Sequence, residues 1–346
     1  MRPWNPSPLT QRRWRLFKKH RRGYVSLWIF GILFGFSLFA EVLSNDRPLI
    51  VRYQGTWLFP LFVTYPETRF GGFLETEADY RDPFILGQLQ SAGNRVIFPL
   101  NPHSYRSINT QLSRPSPAPP SRENLLGTDD RGRDVLARLI YGFRLSVLFA
   151  LALTAIGVVL GTLAGAIQGY FGGRVDLSLQ RFIEVWGSMP ELYLLIIFAS
   201  MFTPTLGLLL VLLSLFGWIG LSDYVRAEFL RSRNMVYVKA AQAMGVSDLA
   251  IMGRHLLPNA LTPVITFLPF RISEAFMALT SLDFLGLGVP PTTPSLGELL
   301  RQGKENIDAW WLSLSTFVVL VVVLLLLNFI GEALRDAMDP RQELGS

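Results

Sequence analysis

Long apolar segments, most of them close to the length that a bilayer core requires, constrain the fold of this 346-residue chain more than any other feature. A helix needs about 20 predominantly apolar residues to cross the hydrocarbon core, where every backbone polar group must be bonded internally. Six such segments are predicted as membrane-spanning helices, at residues 24–43, 145–168, 182–202, 206–221, 261–282 and 311–330. The chain is therefore predicted to be an all-α polytopic membrane protein.

Positive charge indicates how these spans are oriented. Residues 1–23 hold eight Arg or Lys and no acid, which is typical of a cytoplasmic end beside a first span and of contact with anionic lipid. A cleavable signal peptide is the competing interpretation, but the apolar run is long and Phe39-Ala40-Glu41 is a poor cleavage site. The parts predicted to be cytoplasmic hold seventeen Arg or Lys, against two, Arg301 and Lys304, in the short outer loops. Both termini are therefore predicted to be cytoplasmic.

The same topology divides the rest of the chain. Residues 44–138 are predicted to form a periplasmic segment, 139–340 a core domain that carries the other five spans, and 341–346 a C-terminal tail. Within the periplasmic segment, residues 49–53 and 57–63 suggest short strands or loop anchors, and the proline-rich run 114–121 suggests an extended linker.

Composition and missing motifs exclude several classes of function. The chain has no cysteine, so disulfides, thiolate catalysis and Cys-based metal sites are excluded. No Gly-x4-Gly-Lys-Ser/Thr loop, no His-Glu-x-x-His and no Gly-x-Ser-x-Gly occurs in it, so neither ATP hydrolysis nor another catalytic or metal-binding activity is predicted for this chain. The net charge of +6 comes from the N-terminus and is not followed by a basic domain, so no nucleic-acid partner is expected.

Charged residues inside or beside the spans are candidates for a translocation path, because charge at membrane depth is costly. The candidates are Glu184, Glu191, Arg271 and Glu274. Arg271 and Glu274 are three residues apart and can neutralise each other on one helix face. Glu184 has an alternative interpretation, a pairing with Arg181 near the cytoplasmic end of its span.

The stretch 237–260 lies between two apolar spans and is too polar to be a third. Its pattern predicts a pair of surface helices split by Gly245, with Ser247 or Asp248 able to cap the second. A surface helix of this kind is expected to bind a partner, although it could also serve only to join two spans.

The residues of this stretch resemble the coupling motif of ABC importer permeases. Lys239-Ala240-Ala241, then Gly245, then His255-Leu256-Leu257-Pro258 keep the spacing of the E-A-A motif, with Lys239 in place of the usual Glu and His255 in place of Ile. Val246, Ser247 and Asp248 extend the match toward the dipeptide and oligopeptide branch. Three further strings in residues 126–142, 283–291 and 331–340 resemble signatures of that branch, and residues 21–60 resemble its Yej-type second permeases.

The resemblance implies a type I ABC importer permease fold with six spans and a periplasmic insertion between the first two, in a multi-pass protein of the bacterial inner membrane. It implies a heterodimer with a second permease, an ATPase with two nucleotide-binding domains that carries ATP and Mg, and a periplasmic peptide-binding protein. The implied cargo is peptides, including peptide antibiotics such as microcin C. The coupling helix, residues 237–256, would contact the ATPase through Lys239, Ala240, Ala241, Gly245, Val246, Ser247, Asp248, His255, Leu257 and Pro258. The alternative is an autonomous ion-coupled secondary transporter or channel.

Overall fold

The structure, a computed structural model, describes residues 8–339 apart from residues 92, 111 and 113. The first seven residues of the basic N-terminus and the predicted tail 341–346 lie outside the described residues. The described chain is mostly helical. Its helices are α1 Pro8–Lys19, α2 Arg21–Leu38, α3 Ala40–Leu43, α4 Pro83–Gln90, α5 Val135–Phe171, α6 Gly173–Gly187, α7 Glu191–Met201, α8 Leu206–Gly217, α9 Ile219–Ser232, α10 Val236–Ala243, α11 Asp248–Ala250, α12 Leu257–Phe284, α13 Leu296–Glu305 and α14 Trp310–Met338.

Four helical stretches of the described chain are long and apolar enough to cross a membrane, or five if a bent pair forms one span. The four are Val135–Phe171, Leu206–Ser232, Asp248–Phe284 and Trp310–Met338. Each of them contains one of the predicted spans and extends beyond it. The bent pair is α6 and α7, which meet at 62°. Its break falls at Ser188–Pro190, where proline cannot donate a backbone hydrogen bond, so the expected interruption of the third span is present.

The first predicted span, 24–43, is helical but not continuous. Helix α2 begins with two arginines and ends at Leu38, and the short α3 follows after Phe39. Because two of the 18 residues of α2 are arginines, this helix is not among the described stretches that are apolar enough to cross a membrane. The count of six spans stays a prediction.

One compact unit contains the described chain up to Gly31, Val147–Pro290 and the described residues from Val321 onward. Within it, glycines recur every fourth residue along α5 and let this helix lie against α8 and α9. A Cβ atom built on Gly161 would lie 2.8 Å from the carbonyl oxygen of Trp218, and one on Gly165 would lie 2.8 Å from the Cβ of Val225. The small-residue stripe therefore allows close helix packing.

A second compact unit contains Ile32–Ser146 and Pro291–Leu320. Its three short antiparallel strands are β1 Ile50–Tyr53, β2 Thr56–Leu58 and β3 Arg95–Ile97, in the order β2-β1-β3. The sheet has its own hydrophobic core with α4, formed by Val51, Tyr53, Leu58, Phe70, Ala78, Tyr80, Ile85 and Leu89. The suggested strand at 57–63 is shorter than expected, because the chain turns after Leu58.

The proline-rich segment is not a free linker. Ala118 is buried, its N–H donates to Thr128 Oγ1 at 2.8 Å, and its carbonyl accepts from the Thr128 N–H at 2.9 Å. This pairing holds the segment against the loop that precedes α5. The polyproline-like conformation expected for this segment stays a prediction, and such a backbone leaves its carbonyls free to accept bonds of this kind from another segment.

The loop before α5 carries a buried network of charges. The Asp129 carboxylate accepts a hydrogen bond from Arg133 Nε at 2.7 Å and lies 3.5 Å from Arg138 Nε, and all three side chains are almost wholly buried. Asp134 caps α5 by accepting from the Ala137 N–H at 2.8 Å. Mutual pairing of these acids and arginines, expected from their alternation in the sequence, is confirmed.

Candidate functional site

The predicted coupling stretch folds as two helical pieces joined by a tight turn. Helix α10 ends where the Val246 N–H donates to the Ala241 carbonyl at 3.1 Å and the Gly245 N–H donates to the Gln242 carbonyl at 3.0 Å. This is a Schellman ending, which requires a left-handed residue, and Gly245 supplies it with φ of +77°. The glycine of the motif is therefore required by the geometry of the turn.

The second piece continues into a long apolar helix. Ser247 stands at the N-cap position of α11 without a side-chain capping bond, so the expected cap is absent. Asp248 instead accepts a hydrogen bond from the Tyr170 hydroxyl at 2.5 Å. A π-helical turn, Ile251–Leu256, then joins α11 to α12, so residues Asp248–Phe284 form one helical stretch. Insertions of this type are frequent at functional positions in helices.

The two faces of the stretch differ sharply in burial. Its inner face joins a hydrophobic cluster with residues of α5 and α9, to which it contributes Val238, Ala241, Ile251, Leu256 and Ala260. Its outer face exposes large apolar side chains: Val236 is 84% exposed, Met244 75% and Leu249 81%. An exposed apolar patch on a well-anchored element is the kind of surface that a partner protein covers.

The candidate coupling residues divide between these faces. The exposed ones are Lys239, Ala240, Gly245, Ser247, Asp248 and Pro258. Val246, His255 and Leu257 are half-buried, and Ala241 is buried. Ala241 therefore anchors the stretch to the spans and has no surface to offer a partner. Lys239, the departure from the family motif, is exposed on α10.

Three of the four candidate path residues meet at one cavity of about 240 Å³ in the first unit. Arg271 donates to Glu274 at 3.0 Å, as their spacing predicted, and Glu191 stands in the same wall at the start of α7. Ligand pockets usually measure about 300–1,000 Å³. The cavity therefore has room for a side chain or a few waters, not for a whole peptide.

Glu184 lies apart from that cavity. It is exposed on α6 and accepts from Arg181 at 2.6 Å, which matches the alternative interpretation of this residue. Thr154, which no sequence argument selected, also lines the cavity, and its buried hydroxyl has no hydrogen-bond partner among the residues that the structure describes.

Two further residues that hold the candidate coupling stretch in place were not predicted. Tyr170 holds Asp248, and the Arg233 guanidinium donates to the carbonyls of Gly169 and Tyr170 at 3.4 and 3.2 Å, which caps the end of α5. Tyr170 lies far in sequence from the coupling motif, whereas Arg233 lies six residues before Lys239. No local pattern could have selected them, because their contacts depend on how α5, α9 and α11 come together.

Two family profiles match the chain. The profile described as binding-protein-dependent transport system inner membrane component matches residues 157–344, and that of the N-terminal TM domain of oligopeptide transport permease C matches residues 7–55. The first match covers more than half of the chain.

Two proteins that are similar over nearly the whole chain are also described as ABC transporter or transport system permeases. The chain is 54% identical to the inner membrane ABC transporter permease protein YejE of Escherichia coli K12, over 97% of this chain and 98% of that protein. It is 49% identical to the peptidoglycan transport system permease protein YejE of Agrobacterium fabrum, over 99% and 95%.

A solved structure supports the fold class. The inward-facing MetNI methionine ABC transporter matches 59% of this chain and 97% of the matched chain, with a TM-score of 0.50 and 18% identity. The predicted type I ABC importer permease fold is thereby confirmed. The chain belongs to the family of inner-membrane permease components of binding-protein-dependent ABC transport systems.

Proposed function

We propose that this chain forms half of the membrane pathway of an ATP-driven peptide importer and binds its ATPase through residues 237–256. Both termini and this coupling stretch face the cytoplasm, and the segment 44–138 faces the periplasm. A second permease completes the pathway, and a periplasmic peptide-binding protein delivers the cargo. ATP and Mg belong to the ATPase, since this chain has no phosphate-binding loop.

The observation that carries the proposal is the two-faced coupling stretch. Its buried face ties it to α5 and α9, and its free face presents Met244 and Leu249. Because Asp248–Phe284 is one helical stretch, a displacement at Leu249 acts on Arg271, about 33 Å along the same helix. The small cavity at Arg271 would then widen or close as the ATPase binds and hydrolyses ATP.

The names of the relatives suggest two cargo classes. Peptides are favoured by the match to the oligopeptide permease profile, and peptide antibiotics such as microcin C fall within this class. Peptidoglycan fragments are the second candidate, because a relative that is 49% identical is named a peptidoglycan transport permease.

Reconstitution in proteoliposomes with the second permease, the ATPase and the binding protein tests the proposal. We expect peptide uptake that depends on ATP and is lost when Gly245 is replaced by Val, because a β-branched residue at φ of +77° would disrupt the turn. Gly207→Val is the control, since a Cβ there meets nothing within 4 Å. Uptake by this chain alone, driven by a proton gradient, would instead support the ion-coupled transporter.

A further inference from the structure

A large cleft lies within the second unit, in the part of the chain that precedes α5. Its volume is about 750 Å³, and its wall comes from the segment after α3, the chain around the start of α4 and residues 104–110. That volume is within the range of pockets that enclose small ligands. No residue of the coupling stretch, and none that lines the cavity at Arg271, belongs to the wall of this cleft.

Some charges in the wall neutralise each other and others do not. Arg47 pairs with Glu77, and Glu41 pairs with Arg144 at 2.9 Å. Five further charged side chains of the wall form no ion pair with any residue that the structure describes: Asp46, Asp79, Arg81, Asp82 and Arg106, of which Asp82 caps α4. The wall therefore has spare charge of both signs.

The spare groups are held in place by neutral partners. The Arg106 guanidinium stacks 5.0 Å over the Tyr105 ring, and this ring lies 4.7 Å from the Tyr141 ring. Arg81 bonds His103 Nδ1 at 2.7 Å instead of a carboxylate. Stacked or hydrogen-bonded arginines lose less freedom when they bind a carboxylate, because their geometry is set in advance.

The acids are held in the same way. Among the described residues, the Asp79 carboxylate accepts from the backbone N–H of Arg81, at 2.9 Å, and the Asp46 carboxylate accepts from the Ser107 hydroxyl, at 2.8 Å. Neither bond neutralises the carboxylate. Each carboxylate can therefore form an ion pair with a ligand's ammonium group without first breaking an existing ion pair.

We propose that this cleft binds a short peptide with free ends, its carboxylate at Arg106 and Arg81 and its ammonium at Asp79 and Asp46. A free peptide carries both charges near neutral pH, with a carboxyl pKa of about 3.5 and an amino pKa of about 8. The inference rests on the proposed function, because it names a site on the outer side where imported peptide is held before it enters the spans.

Binding to the purified full-length chain in nanodiscs, without any other subunit, tests this site. The probes are tetra-alanine with free ends, its N-acetylated form and its C-amidated form, measured by calorimetry. Arg106→Gln is expected to weaken binding of the free peptide about tenfold, and Asp79→Asn by a similar factor, since each removes one charge-assisted bond. Asn keeps the acceptor for the Arg81 N–H, so the local fold is preserved.

The end-blocked probes make the assignment specific. Arg106→Gln is expected to have no effect on the amidated peptide, and Asp79→Asn none on the acetylated one. Arg52→Gln is the matched control, because Arg52 also stacks on an aromatic ring, Trp57, but lies outside the cleft.

Three outcomes would overturn the inference: no binding of the free peptide, equal binding of blocked and free peptides, or equal effects of R106Q and R52Q. The function itself is tested separately by ATP-dependent uptake in the complete complex. If the complete complex takes up peptide but this chain alone binds none, the peptide site in the cleft is refuted and the proposed importer function still stands.

Discussion

Leu249 is the residue at which the coupling hypothesis can be tested most directly. Its side chain is 81% exposed, so it contributes little to the stability of the isolated chain. Burying a leucine fully is worth about 1.5–3 kcal/mol, and an 81% exposed leucine still has most of that to gain at an interface. Leu249→Ala should then cost about 1–2 kcal/mol of binding, which weakens affinity for the ATPase roughly 5- to 30-fold.

The assay is a titration of the purified ATPase onto the permease pair in nanodiscs, read by interferometry. Leu100→Ala is the control, because Leu100 is 90% exposed but lies in the segment proposed to face the periplasm. Thermal unfolding should be unchanged in both variants. By contrast, Ile251→Ala, at a wholly buried position two residues away, should lower stability by about 2–5 kcal/mol. Equal ATPase affinity for L249A and L100A would refute the assignment of this patch.

Three further predictions concern stability, each measured by thermal unfolding of the purified chain. Gly165→Ala should destabilise the chain by about 1–3 kcal/mol, because its Cβ would overlap α9. Gly31→Ala is the control and should have no such effect, because a Cβ there meets open space. Equal melting temperatures of the two variants would show that the glycines of α5 are not needed for close packing against α9. Asp129→Asn should lower the stability by about 3–5 kcal/mol, because it leaves the buried Arg133 and Arg138 without a countercharge. An unchanged melting temperature would show that this charge network does not stabilise the fold. Burial and the nearby Arg81 lower the pKa of His103 in the folded chain. As the pH drops below about 6.5, His103 is therefore protonated in the unfolded chain before it is protonated in the folded one, and the stability should fall. His103→Gln should flatten this pH dependence, and an unchanged pH profile would exclude His103 as its source.

Several local features of the candidate coupling stretch could be predicted from the sequence. Gly245 ends α10 in a left-handed turn. The hydrogen bonds of such an ending join residues close in sequence, so the ending can be recognised from a glycine at a fixed position after the helix. The pairing of Arg271 with Glu274 was predictable for the same reason, since three residues separate neighbours on one helix face. The break in the third span followed from Pro190 alone.

Contacts between distant segments were decided only by the tertiary structure. The bond from Tyr170 to Asp248 joins residues 78 positions apart, and nothing in either neighbourhood specifies the other. The same holds for the spare charges of the cleft, whose arginines and acids have the composition of an ordinary hydrated loop. The length of the apolar runs determined which segments can cross the membrane, because bilayer thickness sets the number of apolar residues that a spanning helix needs. Which exposed residues remain free for a partner depends on which faces the folded chain covers, and that is a property of packing across the whole fold.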